Sequence, residues 1–225
     1  MQRVRRHTLN TDTRVPRAVA EEVRAVRMAG VISAVVLAAG ASTRMGAPKL
    51  LLPLGGEPII RRTVRAVSHA GVDDVLVVVG HEHEQMLAAL DGLTFRHAVN
   101  ADYASGMGSS FRVAVMHLPA TVGALFALAD QPLLTSRDYA RVIDVYRTQT
   151  PPGIVCARYG DVTAPPHLFD REFFPELAGL VHGARPVLER HRDRTTVLQL
   201  PPQLLLDVDT PADYERAKSL VSSGR

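Results

Sequence analysis

A single cysteine, Cys156, in a chain of 225 residues excludes an internal disulfide and a cysteine-based zinc site. A lone cysteine in an apolar strand is ordinarily plain core, and the expected compartment is the cytoplasm. No apolar run approaches the roughly 20 residues that span a bilayer, so no membrane association is expected. Internal repeats and low-complexity segments are absent. What remains is an ordinary globular composition, 46% hydrophobic and 22% charged, with length for one good core.

The net charge of +3 misleads. Residues 1–29 hold seven of the 26 basic residues, all arginine, against three of the 23 acidic ones. The remainder therefore carries 19 basic and 20 acidic residues and is near neutral. No nucleic-acid partner is expected of a folded domain with that balance. Residues 1–29 read as a basic extension, disordered or partly helical around 17–28, ahead of a folded domain over 30–225. A targeting peptide fits poorly, because there is no apolar core segment and Glu21 and Glu22 interrupt it. Met28 directly precedes the first strong strand, so a start at Met28 is the competing reading.

Residues 31–37 (Val-Ile-Ser-Ala-Val-Val-Leu) are apolar, β-branched and too short for a buried helix, which predicts a central parallel strand. Further strands are expected at 74–79, 94–99, 123–129, 153–159, 163–168 and 195–200. Helices are expected at 57–70, 82–90, 105–117, 136–148, 171–180, 184–192 and 211–222. This alternation predicts a three-layer α/β/α Rossmann-like sandwich, a single domain with a mostly parallel central sheet. Ligands in such sheets bind beyond the carboxyl ends of the strands. The loops that start at Ala38, Gly80, Asn100 and Asp130 should then converge.

The first of these loops, Ala-Ala-Gly-Ala-Ser-Thr-Arg-Met-Gly-Ala-Pro-Lys over 38–49, joins small residues to two cations. Small residues let backbone N–H groups line a concavity that favours an anion. Arg44 as a fork and Lys49 as a point charge can reach phosphate oxygens. A surface loop with two solvated cations is the plainer alternative. The loop is neither a Walker A motif, lacking Gly-Lys-Ser/Thr, nor a G-x-G-x-x-G dinucleotide turn. Asp130 ends an apolar strand, where a carboxylate is costly without a partner. A Mg2+ ion carrying nucleotide phosphates would be such a partner, and a cap for the next segment is the alternative. Asp207 and Asp209 alternate with Val208 and share one side of an extended segment. Asp209 is either a second metal carboxylate or, with Thr210, a cap for the last helix, which has Pro211 at its first position. Gly106, Gly108, Ser109 and Ser110 suit either a flat ligand or helix capping by Ser105 or Ser109.

These motifs carry a resemblance. Leu-Ala-Ala-Gly-Ala-Ser-Thr-Arg-Met-Gly-Ala-Pro-Lys, Ser-Gly-Met-Gly-Ser-Ser, Ala-Leu-Ala-Asp-Gln-Pro, His-Gly-Ala-Arg-Pro and Asp-Val-Asp-Thr-Pro-Ala-Asp resemble the molybdopterin nucleotidyltransferase family. That family lies within the nucleotide-diphospho-sugar transferase fold. The later motifs are similar to the molybdenum cofactor cytidylyltransferase branch, and the likeness runs from about Val31 to Ala217. The resemblance implies a nucleotidyltransferase domain over 30–225 that moves CMP from CTP to the molybdenum cofactor with Mg2+. It implies that Leu37, Ala38, Ala39 and Gly40 hold base and phosphates, that Gly80 and Asn100 line the ribose and base pocket, and that Gly106 and Ser109 contact the nucleotide. It further implies that Arg44 and Lys49 grip the triphosphate, with Lys49 nearest the α-phosphate. Asp130 and Asp209 would hold the metal. A molybdoenzyme or its chaperone would be the protein partner. The methyl of Ala39, where GTP-using members carry glycine, favours CTP over GTP.

One stretch departs from the pattern. The branch carries Arg-Gly-His-Pro where this chain has Ala164-Pro165-Pro166-His167. His167 and Arg185 are the expected acceptor-binding residues, and the changed stretch leaves the acceptor open, a sugar 1-phosphate included. Two other classes compete. A nucleotide-dependent oxidoreductase could use the same crevice, although the missing G-x-G-x-x-G speaks against it. A regulatory nucleotide-binding module without turnover would not need Arg44, Lys49 and Asp130 together.

Overall fold

A computed structural model describes residues 30–42, 44–149 and 153–223, so the expected extension over 1–29 lies outside the described residues. The chain opens with β1 (Ile32–Ala38), all seven of whose residues are buried. Its alternate side chains feed two cores. Ile32, Ala34 and Val36 point into one, and Val35 and Leu37 into the other. Burial on both faces is why this run is apolar without alternation.

A small hairpin follows, β2 (Pro53–Leu54) paired with β3 (Glu57–Pro58) around Gly55 and Gly56 at positive φ. Next come α1 (Ile59–Ser68), β4 (Asp74–Val79), α2 (His83–Ala88), β5 (Arg96–Val99), α3 (Met107–His117) and β6 (Gly123–Leu128). The second half carries α4 (Ser136–Thr148), β7 (Ile154–Tyr159), β8 (Val162–Asp170), α5 (Phe174–Ala178), α6 (Arg185–Arg190), β9 (Thr195–Leu200) and α7 (Pro211–Ser222). Helix α1 buries Ile59, Ile60, Thr63, Val64 and Val67 on one stripe. Helices α4 and α7 begin at capping boxes, Thr135 with Asp138 and Thr210 with Asp213. Thr210 is therefore the cap of α7, and Asp209 remains free for other partners.

The seven-stranded sheet runs β5-β4-β1-β6-β8-β7-β9. The single-domain α/β architecture is as expected, with helices on both faces of a mostly parallel sheet. Strand β8 pairs antiparallel with both β6 and β7, and the other neighbours are parallel. The short strand expected at 163–168 is nine residues long. The helix expected at 57–70 starts two residues late, because Glu57 and Pro58 are committed to the hairpin. The helix expected at 171–180 is a 3-10 turn over Arg171–Phe173 followed by the short α5. Among the described residues no helix is long and apolar enough to cross a membrane.

From β1 the chain steps outward through β4 to β5, then returns to the other side of β1 as β6. The order therefore reverses between β1 and β6, and a crevice at the carboxyl ends of those two strands is the place for a ligand.

Candidate active site

The loops expected to converge do meet at that crevice. Ala129 N–H donates to the Leu37 carbonyl at 3.0 Å, and Asn100 N–H to the Val79 carbonyl at 2.7 Å, extending sheet-like pairing past the strand ends. A Cβ built on Gly80 would lie 2.8 Å from the Ala39 carbonyl oxygen and 2.9 Å from Tyr103 Cβ. Glycine at 80 thus lets three loops close on one another. The loop after β1 turns at Ser42 and Gly46, both at positive φ. A Cβ on Gly40 would meet nothing within 4 Å, so the space beside Gly40 is open.

Lys49 opens a 3-10 turn, Lys49–Leu51, and its backbone N–H donates to Ser42 Oγ at 3.3 Å. Its Nζ lies 2.6 Å from Asp130 Oδ2 and 2.7 Å from Asp209 Oδ1. Arg44 Nη2 donates to Asp209 Oδ2 at 2.8 Å. Arg44 is 70% exposed at its side chain and Lys49 only 10%, so the two cations differ in kind. Burial works against the Lys49 ammonium, but Asp130 and Asp209 outweigh it and hold its pKa above the usual lysine value. Burial likewise opposes charge on Asp209, and Lys49 and Arg44 outweigh it, keeping its carboxyl below the usual range. The result is a charged, oxygen-rich cluster bridging the loop after β1, the end of β6 and the segment before α7.

Two of the expected nucleotide contacts are already engaged. Asn100 is buried. Its Nδ2 donates to Ser109 Oγ at 2.8 Å and to Ser110 Oγ at 3.0 Å, and its Oδ1 accepts from Asp102 N–H at 3.0 Å. Ser109 Oγ in turn donates to the Gly106 carbonyl at 2.7 Å. These side chains brace the loop over 100–110. Gly106, at φ +110°, carries the chain into α3.

His167 and Arg185 lie apart from the Lys49 cluster's contacts, on a cavity of about 810 Å3. Its floor is one row across the sheet: Phe126, His167, Cys156 and Val197 are register partners on β6, β8, β7 and β9. Phe111 of α3 and Leu188 of α6 form walls, and Leu37 joins the cavity to the end of β1. Burial pushes the His167 imidazole down to about 4, so the ring is neutral at ordinary pH. Burial also pushes the Cys156 thiol up, so the pair offers a neutral floor. Arg185 is 87% exposed at its side chain and bonds Glu189 at 2.8 Å. Arg158 and Arg192 also line the cavity, unanticipated from the sequence. Period-two alternation from the buried Cys156 would have placed Arg158 on the same face.

Asp130 and Asp209 already gather around one cation, and their donors are hard carboxylate oxygens. No cluster of three or more potential ligands occurs among the described residues. Two carboxylates fit Mg2+, which keeps waters and substrate phosphates in its remaining positions.

Comparison with known proteins identifies the family. Residues 34–195 match the family model described as MobA-like NTP transferase domain. A nicotine blue oxidoreductase of Paenarthrobacter nicotinovorans is 31% identical over 160 residues, covering 68% of this chain and 77% of that protein. The bifunctional protein GlmU of Sorangium cellulosum is 42% identical over 112 residues, and the match spans 24% of its length. The crystal structure of Rv0371c from Mycobacterium tuberculosis superposes with a TM-score of 0.71 at 33% identity, covering 84% of this chain and 97% of that one. A further Rv0371c structure, at 32% identity, TM-score 0.71 and coverage of 84% and 98%, is a complex with manganese.

Proposed function

Because the chain belongs to the MobA-like NTP transferase domain family, we propose that it transfers CMP from CTP to a phosphorylated acceptor, the molybdenum cofactor, and releases pyrophosphate. The observation that carries this reading is the meeting of Lys49, Arg44, Asp130 and Asp209 at the crevice between β1 and β6. An acceptor phosphate oxygen attacks the α-phosphorus of CTP. The new P–O bond forms as the bond to the bridging oxygen breaks, and its electron pair leaves with pyrophosphate. The nucleophile is already anionic near pH 7, so positioning and charge neutralisation suffice without a strong base.

In this reading Lys49 turns from the carboxylates to the α-phosphate, and the exposed Arg44 reaches the outer phosphates. Asp130 and Asp209 would hold Mg2+, which when bound supplies charge neutralisation to the phosphates. Backbone from Leu37 to Gly40, with Gly80 and Gly106, lines the nucleotide, while Asn100 and Ser109 hold that wall rigid from behind. Ala39 supports CTP over GTP: it packs against Gly80, so its methyl group narrows the base site. The acceptor occupies the cavity floored by His167, with Arg185 at its rim.

The likeness to a protein named as an oxidoreductase favours one second reading, hydride transfer in the same crevice. One screen separates them: Mg2+-dependent pyrophosphate release with each of four nucleoside triphosphates, with and without molybdenum cofactor, beside absorbance at 340 nm with a nicotinamide cofactor. Pyrophosphate release that needs both CTP and the cofactor supports the proposal. No release under any combination, with a change at 340 nm, overturns it.

A further inference from the structure

The loop after β6 and the segment before α7 are held together by more than Lys49. Gln131, next to Asp130, is 1% exposed. Its Nε2 donates to Asp207 Oδ1 at 2.8 Å. Val208 N–H donates to the Asp130 carbonyl at 3.0 Å, and the Val208 side chain is fully buried. The two segments are thus tied at adjacent points, and the next step along both reaches the shared cation, Lys49. Asp207 turns to Gln131 and Asp209 turns to Lys49, so the paired aspartates divide two tasks.

The glutamine is not explained by packing. Asp207 is an acceptor, which fixes the nitrogen of the Gln131 amide toward it. The oxygen Oε1 is then buried with no hydrogen-bond partner. An unmet buried acceptor is unfavourable, and an apolar side chain of similar length would fill the same space without it. What glutamine adds at this position is the bond to Asp207.

We infer that Gln131 and Asp207 are positioning residues, whose hydrogen bond sets the separation of Asp130 and Asp209 and with it the affinity of that pair for a divalent cation. The inference rests on the proposed role of Asp130 and Asp209 as the cation-holding carboxylates. Residues one shell out from metal ligands act in this way by fixing where the ligand oxygens sit.

The test is Mn2+ binding to the full chain without nucleotide, followed by electron paramagnetic resonance, for the wild type and for Gln131→Leu, Asp207→Ala and Asp207→Asn. The Mg2+ concentration for half-maximal turnover and the KM for CTP at saturating Mg2+ are measured alongside. Gln131→Leu and Asp207→Ala each remove the bond, and Mn2+ binding should weaken about tenfold or more, with the Mg2+ requirement rising in step and KM for CTP held within about twofold. Asp207→Asn keeps an acceptor oxygen for Gln131 and should stay within about twofold of wild type. If Asp207→Asn is as weak as Asp207→Ala, Asp207 acts through its charge and the inference falls. Unchanged Mn2+ binding in Gln131→Leu also overturns it. Should Asp207→Ala fail to fold, the Gln131→Leu and Asp207→Asn pair decides alone. A wild-type chain that binds no Mn2+ overturns the role of Asp130 and Asp209 as a cation-holding pair and this inference with it, while pyrophosphate release still tests the transfer itself; wild-type binding with unaffected variants overturns the inference only.

Discussion

Lys49 is one of only two lysines in the chain, the other being Lys218. In the proposed reaction it stands where a compact, mobile charge serves better than the fixed fork of arginine. Its carboxylate partners keep 22% and 30% side-chain exposure, so water can hydrate both once the ammonium is gone, which limits the cost of removing it. Lys49→Ala should therefore lower turnover by about tenfold or more while the melting temperature moves by only a few degrees. Steady-state pyrophosphate release and a thermal melt check the two halves, and wild-type turnover would refute the assignment. His167 behaves in the opposite way, adding a pH dependence to folding. Its pKa falls from 6.5 unfolded to about 4 in the fold. Between those values the unfolded chain binds the extra proton, so stability rises with pH across the window and is lost as pH falls from about 6.5 to 4. The full effect is up to about 3 kcal/mol. His167→Gln should flatten the melting temperature over that range, and a slope equal to wild type would show that other groups carry it.

Helix α3 meets the segment after α5 at Gly108, where no side chain can be added. A Cβ there would lie 2.1 Å from the Leu180 carbonyl oxygen and 2.6 Å from the Val181 carbonyl carbon. Backbone cannot yield as a flexible side chain does, so Gly108→Ala should cost about 1–3 kcal/mol or more and lower the melting temperature by about 5 °C or more. Gly40→Ala, which meets open space, should leave the melt within about 2 °C and serves as the control. The elements that sequence reading placed best have local causes. Strands β1, β4 and β6 are short apolar runs buried on both faces, and α4 and α7 begin at Thr-x-x-Asp caps. The reversed direction of β8 was not legible, because a strand's side-chain pattern carries no sign for direction, and the residues missed, Val162, Phe169 and Asp170, lie at its ends, where local pattern marks a boundary least well. The β2–β3 hairpin is two residues a side, too short for any period. At the site, strand-end position foretold that the loop carrying Lys49 would meet Asp130, whereas Asp209 came only as one of two readings and through the family resemblance. That Asn100 would turn inward to Ser109 and Ser110 depends on how α3 docks, which no local pattern encodes.

Across the whole molecule the sheet divides the work. The parallel half, β5-β4-β1-β6, brings the loop over 38–49 and Asp130 to one crevice, while the antiparallel β8 with β7 and β9 floors the neighbouring cavity. Strand β1 is central to both, and its entry is anchored from within the described residues. Ile32 N–H donates to Asp73 Oδ2 at 2.8 Å, and the Val31 carbonyl accepts from Val122 N–H at 2.9 Å and from Thr121 Oγ1 at 2.5 Å. Those contacts, all among the described residues, fix the first strand in register. The seven arginines within residues 1–27 dominate the charge of the chain, and the rest is near neutral. A chain begun at Met28 should therefore melt within about 2 °C of the full chain. Its turnover should be unchanged, because every residue assigned to the triphosphate lies from Leu37 onward. Its net charge should drop below zero, shifting it from cation-exchange to anion-exchange retention near neutral pH. Loss of turnover with an unchanged melt would instead assign the arginine-rich segment to the triphosphate, adding its charge to that of Arg44 and Lys49.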